Sequence, residues 1–238
     1  MQQLISIKEL EKTYYDDSVA TRALRGVSFD IKKGDFVAIM GPSGSGKSTL
    51  LHMLGFLDRS TKGEYVFEGK NIEDFSEDEI AKLRNKKAGF IFQAFNLLPK
   101  TSVLDNVKLP LIYSDIDEKE WDGLARRAIE SVGLSHRIYH EAQQLSIGEK
   151  QRASIARALV TDPEIIFADE PTGNLDSKSG GQVMDIIKRL NYKGKTIILI
   201  THETYTAEYA NRVVKLHDGK IESDEVVKHS RQVGEFKK

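Results

Sequence analysis

Gly41-Pro42-Ser43-Gly44-Ser45-Gly46-Lys47-Ser48-Thr49 is the stretch from which the fold can be read. An apolar run, Phe36-Val37-Ala38-Ile39-Met40, leads into it, and Leu50, Leu51, Met53, Leu54 and Leu57 follow at helical spacing. Strand, glycine-rich loop and helix in that order are the context a P-loop requires. The glycines let the backbone curl until successive N–H groups point at one anion, and the N-terminus of the following helix adds partial positive charge. Lys47 then reaches the β- and γ-phosphates of a nucleotide, while the Ser48 hydroxyl is placed to ligate Mg²⁺. The chain reads as a binder of a nucleoside triphosphate.

Composition limits what else it can be. The 238 residues carry 35 Lys plus Arg against 36 Asp plus Glu, so no global field points to nucleic acid or to anionic lipid. There is no cysteine, which excludes disulfides, thiolate chemistry and cysteine metal sites. No apolar run approaches the length of a membrane span and no signal-peptide core opens the chain, so it reads as cytoplasmic. Any service to a membrane then runs through a partner.

Outward from the P-loop, Leu4–Ile7 and Val27–Ile31 read as short strands, with Lys12-Thr13-Tyr14-Tyr15 between them. On local sequence alone Tyr14 reads as a packing residue, with stacking on a base as the alternative. Tyr65-Val66-Phe67 and the Gly69-Lys70 corner suggest a hairpin, and Ser76-x-x-Glu79 opens a charged helix. Ala88–Phe92 is a buried-looking strand ending on Gln93, which either closes the strand or senses Mg²⁺ and the γ-phosphate from the strand's C-terminal end. Between 94 and 160 the pattern turns helical. Trp121, Leu124, Ala125, Ala128, Ile129 and Val132 form a core stripe, and Ser146-Ile147-Gly148-Glu149 caps another helix. Ile165–Ala168 is a strand delivering Asp169 and Glu170, the pattern of a Walker B carboxylate followed by an acid that polarises water. Thr196–Thr201 delivers His202 to the same edge, and Val213-Val214 with Asp218-Gly219 gives a last hairpin. From Ser223 the tail is polar and reads as loosely ordered or a short exposed helix.

The expected fold is α/β: a P-loop NTPase with a mostly parallel sheet, an antiparallel β subdomain and an inserted helical subdomain. Residues 1–93 and 161–222 form the nucleotide-binding core, 94–160 the helical insertion and 223–238 the tail. There are no internal repeats.

Taken in order and spacing, the motifs resemble the ATP-binding subunit of an ABC (ATP-binding cassette) transporter over essentially residues 2–222. They are the P-loop, a Q-loop at Gln93, a signature at Leu145-Ser146-Ile147-Gly148-Glu149, Walker B through Glu170, a D-loop at Asn174-Leu175-Asp176 and a switch histidine at His202. Phe92-Gln93-Ala94-Phe95-Asn96-Leu97-Leu98-Pro99 and Asn106-Val107-x-Leu109-Pro110 carry a closer likeness to the macrolide-export and lipoprotein-release (MacB/LolD-like) branch. One departure stands in the signature, where Ile147 and Glu149 replace a glycine and the glutamine of LSGGQ. Glu149 would repel a γ-phosphate unless its carboxylate turns back to the cap N–H.

The resemblance implies an ATPase with ATP and Mg²⁺ as cofactors. It makes Tyr14 the adenine-stacking residue, with Tyr15 as fallback. It implies that Gly41 to Thr49 bind phosphate, that Ser48, Gln93 and Asp169 organise Mg²⁺, that Glu170 is the base and that His202 holds the γ-phosphate. Ser146 and Gly148 act on the nucleotide of a second copy, Asp176 links the two sites, and the assembly is a homodimer. A membrane permease docks between Phe95 and Val103, holding the chain peripherally on the inner face of the cell membrane. The rival is a mechanotransmitter working a membrane partner without moving solute. A DNA or ribosome partner is disfavoured by the single cassette and balanced charge.

Overall fold

Within each central strand, alternate residues enter two different cores. In β3 (Phe36–Met40), Val37 and Ile39 face one side while Phe36 and Ala38 face the other. β7 (Ile165–Asp169) and β8 (Thr196–Ile200) sort the same way: Phe167 and Ile198 to the first core, Ile166 and Leu199 to the second. Burial on both faces is why these strands read as unbroken apolar runs. The computed structural model describes residues 2–16 and 19–236.

The main sheet has the order β10-β9-β3-β8-β7-β6, where β6 is Ala88–Ile91, β9 Arg212–His217 and β10 Lys220–Val226. Neighbours from β6 to β9 pair in parallel, and β10 closes the edge antiparallel. A second, antiparallel sheet has the order β2-β1-β4-β5, from β1 (Gln3–Asp16), β2 (Val19–Lys32), β4 (Lys62–Phe67) and β5 (Lys70–Asn71). The P-loop helix α1 (Lys47–Leu54) gives Leu50, Leu51, Met53 and Leu54 to the core shared by the two sheets. A short α2 (Glu77–Lys87) follows, capped by Ser76 and Glu79 as the sequence predicts.

The other core lies under the helical region. It joins α3 (Val103–Lys108), α4 (Glu118–Ser131) and α5 (Ile147–Leu159) to α6 (Ser177–Tyr192) and the second face of the main sheet. Trp121 packs against this core and donates its indole N–H to the Ile116 carbonyl at 2.9 Å. The short α7 (Thr204–Ala207) follows β8.

Two local readings are corrected. Lys12 to Tyr15 do not lie between strands but inside β1, whose pairing with β2 runs on to Asp16 opposite Val19. Irregular pairing between Ile7 and Leu10, around Glu9 at positive φ, breaks the two-residue alternation by which a long strand is recognised. Up to Phe236, the tail from Ser223 is strand and hydrogen-bonded irregular backbone, not loose and not a helix. It continues β10 to Val226 and then returns across α6 and α7. Arg231 Nε donates to Glu208 at 2.6 Å, the Gly234 N–H to Asp185 at 2.8 Å, and Lys188 Nζ to Ser230 Oγ at 3.2 Å. Phe236 lies over Gly180 and Gly181, where an added Cβ would meet its ring at 3.0 Å and its Cβ at 3.2 Å, and its ring stands edge-on to Tyr205 with centroids 5.3 Å apart.

Phe236 is thus the apolar anchor of a polar tail. Phe236→Ala is expected to cost about 1–3 kcal/mol, lowering the thermal midpoint by about 2–4 °C per kcal/mol in a chain of this size. An unchanged midpoint in thermal unfolding would show that the tail adds nothing to the fold.

Candidate active site at the strand C-termini

Parallel strands deliver their C-terminal residues to one edge, and that edge is where the predicted groups meet. β3 runs into the P-loop, β7 into Asp169 and Glu170, and β8 into Thr201 and His202. Asp169 stands opposite Ile200 in the ladder, so the residues that follow the two strands are neighbours by register. His202 Nδ1 lies 2.8 Å from Glu170 Oε1. Glu170 itself sits at φ 44, a left-handed backbone on a non-glycine residue, with its N–H donated to the Ile200 carbonyl at 2.9 Å. Such strain collects at functional sites, where the surrounding structure over-determines it.

A cavity of about 810 Å³ opens over these groups, lined by Pro42, Ser43, Gly44, Gly46, Lys47, Ser48, Thr49, Glu170 and His202. Its far wall is β2 (Thr21, Arg22, Ala23 and Arg25) with Asp218 and Gly219 of the last hairpin. The size falls within the roughly 300–1,000 Å³ of small-molecule sites. Gly46 precedes α1 at φ +99, and a side chain there would meet the Ala23 carbonyl at 2.5 Å, so only glycine fits. α1 consequently has no side-chain cap, and its first residues, Lys47, Ser48 and Thr49, line the cavity. Lys47 is 7% exposed and donates to the Pro42 carbonyl at 2.7 Å. Burial lowers its pKa, against the pull of Glu170 and Asp169. Ser45 Oγ is buried with no partner, a polar orphan inside the loop. The residues fit a polyphosphate: a loop shaped by glycine, a helix N-terminus without a side-chain cap and a nearly buried lysine line one cavity.

Asp169 is partly buried beside this cavity. Burial first, and then the charge of Glu170, raise its carboxyl above the usual range, with His52 and Lys47 offsetting part of the effect. Gln93 sits at the end of β6 against Gly173, and its carbonyl accepts from Asn174 Nδ2 at 3.1 Å. Tyr14 and Tyr15 stand outside the lining. The Tyr14 hydroxyl donates to Asp58 at 2.9 Å with the Lys12 ammonium 5.0 Å from its ring centre, and Tyr15 is 76% exposed.

The signature residues are not brought to this cavity. Ser146 caps α5, and Gly148 packs so closely on Ser179 that a Cβ would come within 2.6 Å of its hydroxyl. Asp176 caps α6 by accepting from Ser179 N–H at 2.9 Å, which holds its carboxyl below the usual range. Glu149 turns back, as a capping box requires: Oε2 accepts from the Ser146 N–H at 2.9 Å and Oε1 from Arg137 Nε at 3.0 Å. Burial alone would raise this carboxyl, but the Ser146 bonds and Arg137 outweigh it and hold the pKa at about 2.

Three supporting roles escaped the sequence reading. Asn106 is fully buried, accepting from the Leu98 N–H at 2.7 Å and donating to the Thr101 and Ser102 carbonyls. Arg157 donates to the carbonyls of Phe95 and Asn96, two consecutive residues at positive φ. Gln151 ties α5 to the loop after Glu170 through the Pro171 carbonyl at 3.0 Å. Gln151 and Arg157 reach partners 20 and 61 to 62 residues away, while Asn106 closes a turn four to eight residues upstream, and no short motif marks any of these bonds.

Comparison with known proteins now fits this geometry to a family. Residues 24–173 match the ABC transporter family. A macrolide export ATP-binding/permease protein of Bdellovibrio bacteriovorus is 50% identical over 93% of the chain. The chain spans 34% of that relative's length. An ABC transporter ATP-binding protein of Thermotoga maritima is 45% identical over 94% of the chain and 96% of its own. Among solved structures, the dimeric ABC transporter cassette MJ0796 superposes with a TM-score of 0.87 at 42% identity, covering 94% of this chain and 99% of that one. The same cassette in a post-hydrolysis state with ADP and Pi matches at 41%.

The chain belongs to the ABC transporter family. It is an ATP-hydrolysing cassette of the MacB-like kind.

Two outcomes follow from the electrostatics. A raised acid stabilises the fold fully below its unfolded pKa near 3.8 and loses that contribution as pH rises through its folded value. At neutral pH the Asp169 charge therefore opposes folding of the nucleotide-free chain, and Asp169→Asn should raise its thermal midpoint. A lowered midpoint would contradict this. Glu149 is depressed, so its contribution is present above about pH 4.5 and lost as pH falls toward 2. Glu149→Gln should flatten that acid limb in a denaturant series, and an unchanged slope would refute the assignment.

Proposed function

We propose that this chain is the motor of a membrane transporter, two copies closing around two ATP molecules and driving a permease subunit. The observation that carries the reading is a division within one chain. The P-loop, Glu170 and His202 converge on one cavity, while Ser146 and Gly148 cap a helix outside it. A helix N-terminus with a small residue and a hydroxyl is an anion site in search of an anion, and a two-fold arrangement supplies the partner's phosphate.

Lys47 and the loop amides bind the phosphates, and Tyr14 stacks on adenine. The hydroxyl of Ser48, the amide oxygen of Gln93 and the carboxylate of Asp169 are hard oxygen donors of the kind Mg²⁺ takes, one carboxylate alongside substrate phosphates. When bound, the cation neutralises charge developing on the transferred phosphoryl group. Glu170 accepts the proton of the attacking water, and His202, bonded to Glu170, orients it and contacts the γ-phosphate. Asp176 carries the state of one site to the other.

Among the described residues, no helix is long and apolar enough to cross a membrane. An apolar groove of about 510 Å³ beside the Gln93 loop, floored by Phe90 and Phe92 and edged by Asn96, Pro110 and Tyr113, receives a helix of the permease. Asn96 is the residue of the Phe95–Val103 segment that lines it, and Arg157 and Asn106 hold the backbone of Phe95, Asn96 and Leu98 beside it. The substrate class is export or extraction of a peptide, lipoprotein or antibiotic.

Glu170→Gln should reduce ATP turnover by about 10²–10⁴-fold while leaving ATP binding, and should accumulate a dimer in ATP-Mg²⁺ by size-exclusion chromatography. Turnover near the parent level would remove Glu170 as the base. From solubilised membranes, the same variant should co-purify with an integral membrane protein, and Tyr113→Glu in that background should weaken the capture. Capture of ribosomes or DNA in its place would end the transporter reading.

A further inference from the structure

Two capping boxes of identical form, Ser76-x-x-Glu79 and Ser146-x-x-Glu149, begin α2 and α5. In both, the serine hydroxyl accepts from the glutamate N–H and the glutamate carboxylate accepts from the serine N–H. At α2 these bonds complete the motif. At α5 the carboxylate has a further partner, since Oε1 accepts from Arg137 Nε at 3.0 Å and lies 3.8 Å from His136 Nε2. The Arg137 guanidinium is set by the turn Ser135–Arg137 that follows α4, and its Nη1 sits 3.1 Å from His140 Nε2. The Glu149 side chain is only 14% exposed, buried between its own helix and that turn.

We propose that Arg137 is a positioning residue for the ATP site completed by a second copy: it holds and neutralises Glu149 so that an acid can stand in the signature loop. The inference rests on the dimer reading above. A carboxylate one residue after Gly148 would face the incoming γ-phosphate as a like charge. The capping bond alone restrains one oxygen and leaves the full negative charge. The arginine restrains the other oxygen and supplies the compensating positive charge through a charge-assisted bond. Glu149 and Arg137 then present a neutral pair, and the α5 N-terminus keeps its attraction for anions.

The test uses the full chain carrying Glu170→Gln, with dimer formation in ATP-Mg²⁺ followed by analytical ultracentrifugation. Adding Arg137→Ala should weaken the dimer at least about tenfold. Adding Glu149→Gln to that variant should restore it, because the substitution removes the stranded charge while keeping an acceptor for the Ser146 N–H. Arg137→Lys should keep most of the parent affinity. A mere structural role for Arg137 predicts no rescue by Glu149→Gln, so an unrescued or undiminished dimer overturns the proposal. If the parent itself stays monomeric with ATP, the dimer reading fails and this inference falls with it, an outcome distinct from loss at Arg137 alone.

Discussion

The P-loop is held from both sides by backbone, and the rest of the structure depends on that contact. Gly46 lies against the Ala23 carbonyl of β2, and a Cβ on Gly41 would run into the Leu216 carbonyl of β9 at 2.1 Å. The Gly219 N–H donates to the Ser45 carbonyl, and the Arg25 N–H to Gly219. The loop is thereby clamped between the antiparallel sheet and the last hairpin of the main one. That explains why a domain with one such cavity needs two sheets: one carries the strand ends that meet there, the other closes the wall behind the loop. The apolar core under α1 makes the clamp stiff, and stiffness is what an anion cradle of N–H groups requires.

Against that stiff background the site concentrates unfavourable choices. Lys47 is nearly buried, Asp169 is pushed toward protonation beside Glu170, Ser45 Oγ has no partner, and Glu170 holds a left-handed backbone. Surface ion pairs elsewhere, such as Arg59 with Glu77, are each worth at most about 1 kcal/mol. They cannot offset the site. The offset comes from the strands whose residues are buried on both faces, where each large apolar side chain contributes about 1.5–3 kcal/mol. Any anion bound to the native loop stabilises the fold by mass action, which ties the energetics of binding to those of folding.

Much of this was legible because it is local. The P-loop needs nine consecutive residues, and β3, β7 and β8 declare themselves as apolar runs ending in Gly41, Asp169 and Thr201. Both capping boxes are three-residue intervals. What escaped is tertiary. The length of β1 is masked by the bulge near Glu9, and Tyr14 belongs to a strand whose pairing no local pattern reveals. Asn106, Arg157 and Arg137 are polar residues whose partners lie elsewhere in the chain or depend on how it folds back. Phe236 stands alone in a run of charge, and nothing near it in sequence says that Gly180 and Gly181 leave a notch for its ring.

Lys188 gives that tail a chemical meaning. Its ammonium lies at the base of the notch on α6, 1% exposed, donating to the Tyr209 carbonyl and to Ser230 and facing the rings of Phe36 and Tyr192. Burial lowers its pKa, so a larger fraction is the neutral, nucleophilic amine than on a surface lysine. The strap from Ser230 to Phe236 is tied down by charge at one end and by an aromatic ring at the other, so a polar tail is held by a buried cation and an apolar notch together.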